Sequence, residues 1–275
     1  MFRQTFYFGT IRKYVTLFGT LFDDIMIERT DSAGDTTALI KVPITYGPKE
    51  KMLARVTADP NIDRQTAMPT LPLMSFEMTN ISYDPSRKLN TIRRSVVADG
   101  DPNKMKYQYA PVAYNIGFRL HVLVKNAEDG TKIIEQILPY FTPDWTTTVQ
   151  LIPEMEITLE IPVILDRISQ EDTYDGQFKE RRSLTWTLDF TLKGYVYGPI
   201  KKGSIIKFAN TIYYTPSGNL LTAIGNTDPT MYYTVQPGLT ANGQPTANGS
   251  QSIDPNLITA TSDFGYVENT TVLTT

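Results

Sequence analysis

His121 is the one residue of this chain whose side chain ordinarily titrates near neutral pH. It stands between Arg119 and Lys125 on the polar side of an alternating segment. A general base needs a reacting group within hydrogen-bond reach. No spacing in the sequence supplies one, so His121 reads as a surface or interface residue. One histidine cannot build a histidine zinc site. The chain has no cysteine, which excludes disulfides, thiolate metal sites and cysteine nucleophiles. Carboxylates gather at Asp99 and Asp101, and at Glu171, Asp172 and Asp175. Asp175-Gly176 begins like a calcium loop, but the twelve-residue spacing and its closing Glu are missing. Both clusters read as solvated loops. There is no Gly-rich phosphate cradle and no Gly-x-Ser-x-Gly elbow. The expectation is a protein that is not an enzyme and holds no cofactor or metal.

What remains are residues suited to contact. Basic pairs stand at Arg93-Arg94, Arg181-Arg182 and Lys201-Lys202, and suit solvated faces or ion pairs between subunits. A net charge of −3 gives no global basic field for nucleic acid. The charge is unevenly spread: after Lys207 there is no basic residue, only Asp228, Asp254, Asp263 and Glu268. No apolar run approaches the roughly 20 residues of a membrane span, and no signal peptide is expected.

The elements that would position these groups are mostly strands. Sixteen Tyr and twelve Phe, with many Thr and Ile, suit half-buried pleated surfaces. Leu184, Trp186, Leu188, Phe190 and Leu192 alternate with Ser183, Thr185, Thr187, Asp189 and Thr191. A slip of one residue would expose all five apolar groups, so the register is strongly specified. Val112 to Val124 alternates likewise, as do Met74, Phe76 and Met78, and Ile157 to Leu165. Pro162 lacks a backbone donor, so its strand is expected at an edge or broken there. Ile25–Arg29 and Ala38–Ile44 read as a hairpin around Asp31–Asp35.

Helices are expected at Thr10–Ile25, from three- and four-residue apolar spacing, at Pro48–Val56, and after Asn126 as N-cap. Gly19 in the first is small enough to admit a neighbouring backbone. Gly130 and Pro139 should weaken and end the third. Pro85–Asn103 reads as a long excursion between strands. The fold class is therefore α+β: a predominantly antiparallel sheet or sandwich body with two or three flanking helices and an extended C-terminal arm. The body is expected over 1–214. Residues 215–275, rich in Gly, Asn, Thr and Pro, read as an acidic extension that orders on a partner. Met231, Tyr232, Tyr233 and Val235 in it could add a strand to a sheet edge.

Four strings carry a resemblance. Phe6–Phe22 (FYFGTIRKYVTLFGTLF), Lys41–Lys51 (KVPITYGPKEK), Ile133–Pro143 (IIEQILPYFTP) and Arg181–Pro199 (RRSLTWTLDFTLKGYVYGP) resemble the tail sheath stabiliser, or tail terminator (tail completion), family of large contractile-tailed phages. The resemblance covers Met1 to Lys207 and finds no match after Thr215. It implies a virion protein made in the host cytoplasm: a homo-oligomeric, hexameric ring at the head-proximal end of the tail. The ring would contact the tail sheath protein, the tail tube terminator and the neck proteins, with DNA passing through it without specific binding. Sheath subunits are linked through exchanged strands, as the resemblance implies, so a capping subunit would satisfy the last free edges. Pro162, Ile164, Arg181, Arg182, Tyr232 and Tyr233 are the expected partner contacts. Two alternatives stand beside this reading. One is another neck or baseplate subunit. The other is a β-sandwich carbohydrate-binding module stacking sugars on Trp145, Tyr195 or Tyr197.

Overall fold

The computed structural model describes residues 5–30, 36–57, 71–101, 103–173, 183–214 and 229–273. In chain order the elements are α1 (Thr10–Leu21), β1 (Met26–Thr30), β2 (Thr36–Lys41), β3 (Ile44–Tyr46), α2 (Lys49–Thr57), β4 (Leu73–Tyr83), β5 (Arg94–Ala98), β6 (Lys104–Tyr109) and β7 (Val112–Val124). They continue as α3 (Ala127–Ile137), β8 (Asp144–Ile152), β9 (Ile157–Thr173), β10 (Ser183–Val196), β11 (Lys201–Ser204), β12 (Ala209–Tyr214), β13 (Pro229–Gly238) and β14 (Gly265–Val272). Strands dominate and pair antiparallel, with one parallel exception, so the class is α+β with three helices. The elements fall into two compact units. One takes the chain up to Arg93 and Ala110–Gly198; the other takes Arg94–Tyr109 and Pro199–Thr275.

The first unit is built on a six-stranded sheet in the order β3-β4-β7-β10-β9-β8, with β3 parallel to β4. β7 and β10 form its centre in unbroken register, from Val124 opposite Leu184 to Val112 opposite Val196. Leu184, Leu188, Phe190 and Leu192 are buried with Ile116, Phe118, Leu120 and Val122, as the alternation requires. α1 lies on this face. Its buried side chains Tyr14 and Phe18, followed by Phe22, recur at intervals of four, one helical stripe. The Phe18 ring stacks on Phe118 at 4.5 Å between centroids. It meets Phe22 and Phe190 at 5.2 Å and Phe76 at 5.4 Å. Gly19 admits a ring and not a backbone: a Cβ there would stand 3.0 Å from Phe76 Cζ. The helix stops at Leu21, short of the expected Ile25, and the Phe22 N–H bonds Gly19 O at 3.4 Å in a tightened last turn.

α3 is expected from Asn126 and found there, but the Asn126 side chain makes no cap bond. The helix is instead tied down by Asp129, which takes both guanidinium nitrogens of Arg29 at 2.6 and 2.7 Å. Gly130 is required by packing, since a Cβ would lie 2.5 Å from Trp186 Nε1. At Pro139 the α-helix gives way to a single 3-10 turn over Leu138–Tyr140.

The other face of the sheet is not simply polar. α2 brings Met52 onto Leu73 and Leu123, a small second core. Thr185, assigned to the solvent side by alternation, is fully buried.

β9 is not an edge strand. It lies between β10 and β8. Its pairing with β10 runs from Thr173 to Val163 and ends there, one residue before Pro162, while β8 pairs it from Ile157 to Ile164. The missing N–H of Pro162 thus falls where the ladder to β10 has already stopped. The outer strands are β8 and the three-residue β3.

The second unit holds two three-stranded sheets, β11-β6-β5 and β12-β13-β14. The expected excursion over Pro85–Asn103 contains a 3-10 turn, Pro85–Arg87, and then β5. β13 finds its partners in the chain itself, β12 on one side and β14 on the other. The Asp31–Asp35 turn lies outside the described residues.

Candidate assembly surfaces

Among the described residues, the groups that might do chemistry are occupied by structure. His121 on β7 is buried, not at the surface. Its Nδ1 lies 3.2 Å from Thr187 Oγ1 and its Nε2 3.7 Å from Glu77 Oε1. Burial holds its pKa below the ordinary imidazole value, against the opposing pull of Glu77. The Ser75 hydroxyl, on the residue paired with His121, is also fully buried, so no substrate reaches the pair. Glu171 is ion-paired to Lys49. Among the described residues no group of three or more acidic or imidazole side chains could hold a metal ion.

Two of the three sugar-stacking candidates are taken up by structure. Tyr197 is buried, and Tyr195 lies under the Arg87 guanidinium at 5.1 Å. Trp145 lines a pocket with Ile137 and Phe141.

The open sheet face instead carries a charge ladder. Glu77, Arg119, Asp189 and Arg167 stand in one cross-strand row over β4, β7, β10 and β9. Asp189 accepts from Arg119 Nε at 2.7 Å and from Arg167 at 2.9 Å. Opposite charges directly across strands support the register. Pro162 and Ile164 lie on this same face, half-buried, beside Thr146 and Asp144 of β8.

β8 offers a long free edge of the sheet. Its last carbonyls, Gln150 and Leu151, accept from Lys13 Nζ at 3.2 and 2.6 Å. Asp144 to Val149 has no such cover. An open groove of about 650 Å³ lies between α1 and this strand, lined by Tyr7, Arg12, Thr16, Thr20, Thr148 and Val149.

In the second unit, Asp99 follows β5 and binds Lys106 of β6 at 3.3 Å and Lys202 of β11 at 2.9 Å. The bond to Lys202 leads in pulling its carboxyl down to about 2. A carboxylate held below its unfolded value of about 3.8 favours the fold above that pH and loses this contribution as pH falls towards 2. Melting between pH 5 and 2 should therefore show an acid-side loss that Asp99→Asn makes shallower. An identical slope in the variant would remove the triad from the account.

Tyr232 and Tyr233 are neighbours on the central strand β13 and face opposite sides of its sheet. Tyr232 stands between Ile212 and Thr271, and Tyr233 between Thr211 and Thr270. Burial, then the hydrogen bond to Glu268, raises the Tyr233 phenol. Arg181 and Arg182 lie outside the described residues. Sequence reasoning missed β8 and its groove. The signal was present in the alternation of Trp145, Thr147 and Val149, each half-buried, with exposed Thr146 and Thr148.

The family model of the T4-like virus Myoviridae tail sheath stabiliser matches residues 5–269. The match runs well past Lys207, so the C-terminal region that carries no recognisable string is family sequence too. The chain is similar to the tail completion protein gp15 of Enterobacteria phage T4, with 30% identity over 201 residues, covering 71% of this chain and 73% of that protein. No helix among the described residues is long and apolar enough to cross a membrane. The chain belongs to the T4-like virus Myoviridae tail sheath stabiliser family, and its role is that of a structural component of a phage tail.

Proposed function

We propose that this chain forms a ring, hexameric as in the resemblance above, that caps the head-proximal end of a contractile tail, terminates and stabilises the extended sheath, and joins the tail to the neck. The family match over residues 5–269 carries this reading. The named relative is a tail completion protein, which is the role proposed here. The mechanism is strand addition. A terminal sheath ring leaves strand edges without partners, and an unpaired edge is a template for further pairing. The free edge of β8, with its groove against α1, is a seat for one extended segment, which main-chain hydrogen bonds would hold. Pairing there ends the row, because the other side of β8 is already bonded to β9.

The remaining contacts are assigned as part of the same proposal. Pro162 and Ile164 face the sheath beside β8. Arg181 and Arg182 make ion pairs between subunits, and Tyr232 and Tyr233 serve the faces that meet the tube terminator and the neck. DNA passes through the ring without base-specific contact.

Electron microscopy of sheath protein assembled with and without this chain tests the proposal. The native chain should give sheaths of one length that resist contraction. The double variant Thr146→Lys, Thr148→Lys keeps the β8–β9 ladder, since both side chains are exposed, but charges the free edge. It should give open-ended sheaths. Sheaths that grow without limit beside the native chain would overturn the capping role. Labelling on whole particles would separate the neck-proximal site from a baseplate one.

A further inference from the structure

The strand edges of this chain are guarded unequally. β1 is covered at Met26 O and Glu28 O by Gln136 and Lys132 of α3. β3 is only three residues long. β11 carries Lys201 and Lys202, and β5 carries Arg94. β8 is capped at one end by Lys13. Lysines, short strands and covering helices are the ordinary devices that stop an edge from recruiting another chain.

Among the described residues, the sheet β12-β13-β14 has none of them on its outer sides. β12 reads Ala-Asn-Thr-Ile-Tyr-Tyr, with no charge and no proline, and is exposed along its whole length. Its one irregularity comes at the last residue, between Tyr213 and Tyr214. β14 reads Gly-Tyr-Val-Glu-Asn-Thr-Thr-Val and is exposed from Glu268 onward. Its single charge, Glu268, is engaged inward with the Tyr233 hydroxyl on the central strand. Ile212 and Val272 stand 44% and 65% exposed at these two edges. Both edges are rich in β-prone residues and have no strand partner on their outer side within the sheet.

We propose that these two edges are partners of each other between copies: β14 of one subunit pairs with β12 of the next. The inference rests on the ring reading above. A cyclic ring needs two different complementary patches on every subunit, joined head to tail. One sheet with two unguarded edges supplies both. The direction of pairing follows from topology. β12 and β14 are each antiparallel to β13, so they run the same way. Rotation about the ring axis keeps that direction, so β14 meets the next β12 in parallel. Each subunit then contributes three strands to a continuous collar, and no unguarded edge of this sheet remains. A two-fold dimer would pair β12 with β12 in antiparallel fashion instead.

The absence of cysteine makes the test clean. Thr211 and Thr270 stand level, both paired with Tyr233. Across a new parallel pair they would lie about 5 Å apart, or about 8 Å after a two-residue slip, from strand spacing and rise. Thr211→Cys and Thr270→Cys are made as separate single variants, co-expressed, and treated with a thiol cross-linker of about 8 Å span. Covalent dimers should form at least tenfold more in the mixture than in either variant alone. Self-linking of Thr211→Cys would indicate the two-fold arrangement and overturn the proposal. An intact oligomer by native mass with no cross-link overturns the edge contact and leaves the ring. A native mass of monomer alone removes both.

Discussion

Truncation of Phe18 to alanine is expected to lower folding stability by about 3–5 kcal/mol. The ring is fully buried and touches four other phenylalanines. Three of them, Phe76, Phe118 and Phe190, stand on β4, β7 and β10, and the fourth, Phe22, follows the helix. The side chain is therefore what fastens α1 to the sheet centre. Two costs add: the lost transfer of the ring out of water, and the cavity left behind. The cavity term stays near its upper range because the floor cannot collapse. β7 and β10 are paired residue by residue over thirteen positions, and that register fixes Phe118 opposite Phe190. Against a net stability of about 5–15 kcal/mol, such a loss is a large share of the whole. Urea titration should show a fall in midpoint with little change in slope. Thr16→Ala, on the exposed side of the same helix, should stay within about 0.5 kcal/mol of the native chain. A loss below 1 kcal/mol for Phe18→Ala would mean that α1 is held elsewhere. The functional consequence lies next door. α1 forms one wall of the β8 groove, so a loosened helix should also weaken sheath capping before the unit unfolds.

Much of this framework is legible in the chain, and the failures have physical causes. The β10 alternation reads directly because both neighbours, β7 and β9, demand the same face. The α1 stripe reads because Tyr14, Phe18 and Phe22 have one neighbour to satisfy. His121 misleads because periodicity reports a face without reporting what lies on it, and Met52 of α2, some seventy residues upstream, packs on Leu123 of that same face. Pro162 misleads for a related reason. A proline marks a missing donor, but a donor is also dispensable where a ladder ends, and here the ladder to β10 stops at Val163. β5, β6 and β11 are short, and β11 joins β6 across nearly a hundred residues, so no local signal announces their sheet. The C-terminal region has the composition of an arm and yet carries β13 and β14. Their pairing satisfies the backbone without a large apolar face, which composition cannot reveal. Tyr232 and Tyr233, expected to add a strand to a sheet edge, stand instead on the central strand β13, and the outer positions of that sheet belong to β12 and β14.

Removal of one oxygen should test how the sheet is closed at its other end. Where β9 leaves β10, the backbone of Tyr195 has β7 on one side and no strand on the other. The Tyr14 hydroxyl stands there in place of one: it accepts from Tyr195 N at 2.9 Å and donates to Tyr195 O at 2.7 Å. Tyr14→Phe keeps the ring and its packing and deletes both bonds. Each backbone group left buried and unpaired costs about 1–3 kcal/mol, so for the two groups a loss of about 2–6 kcal/mol is expected. The same residue sets an alkaline limit. Burial, partly offset by the bond to Tyr195, raises the Tyr14 phenol from 10.0 to about 12. Between those values the unfolded chain has released the proton and the folded chain still holds it. Folding then binds a proton, and stability falls as pH rises. The contribution is complete below pH 10 and is lost towards pH 12, by as much as about 2–3 kcal/mol. Melting of the native chain should therefore drop through this interval, and Tyr14→Phe should start lower and descend less steeply. Parallel curves would assign the alkaline loss to other groups, and an unchanged melting point at neutral pH would mean that water, and not this hydroxyl, closes the strand.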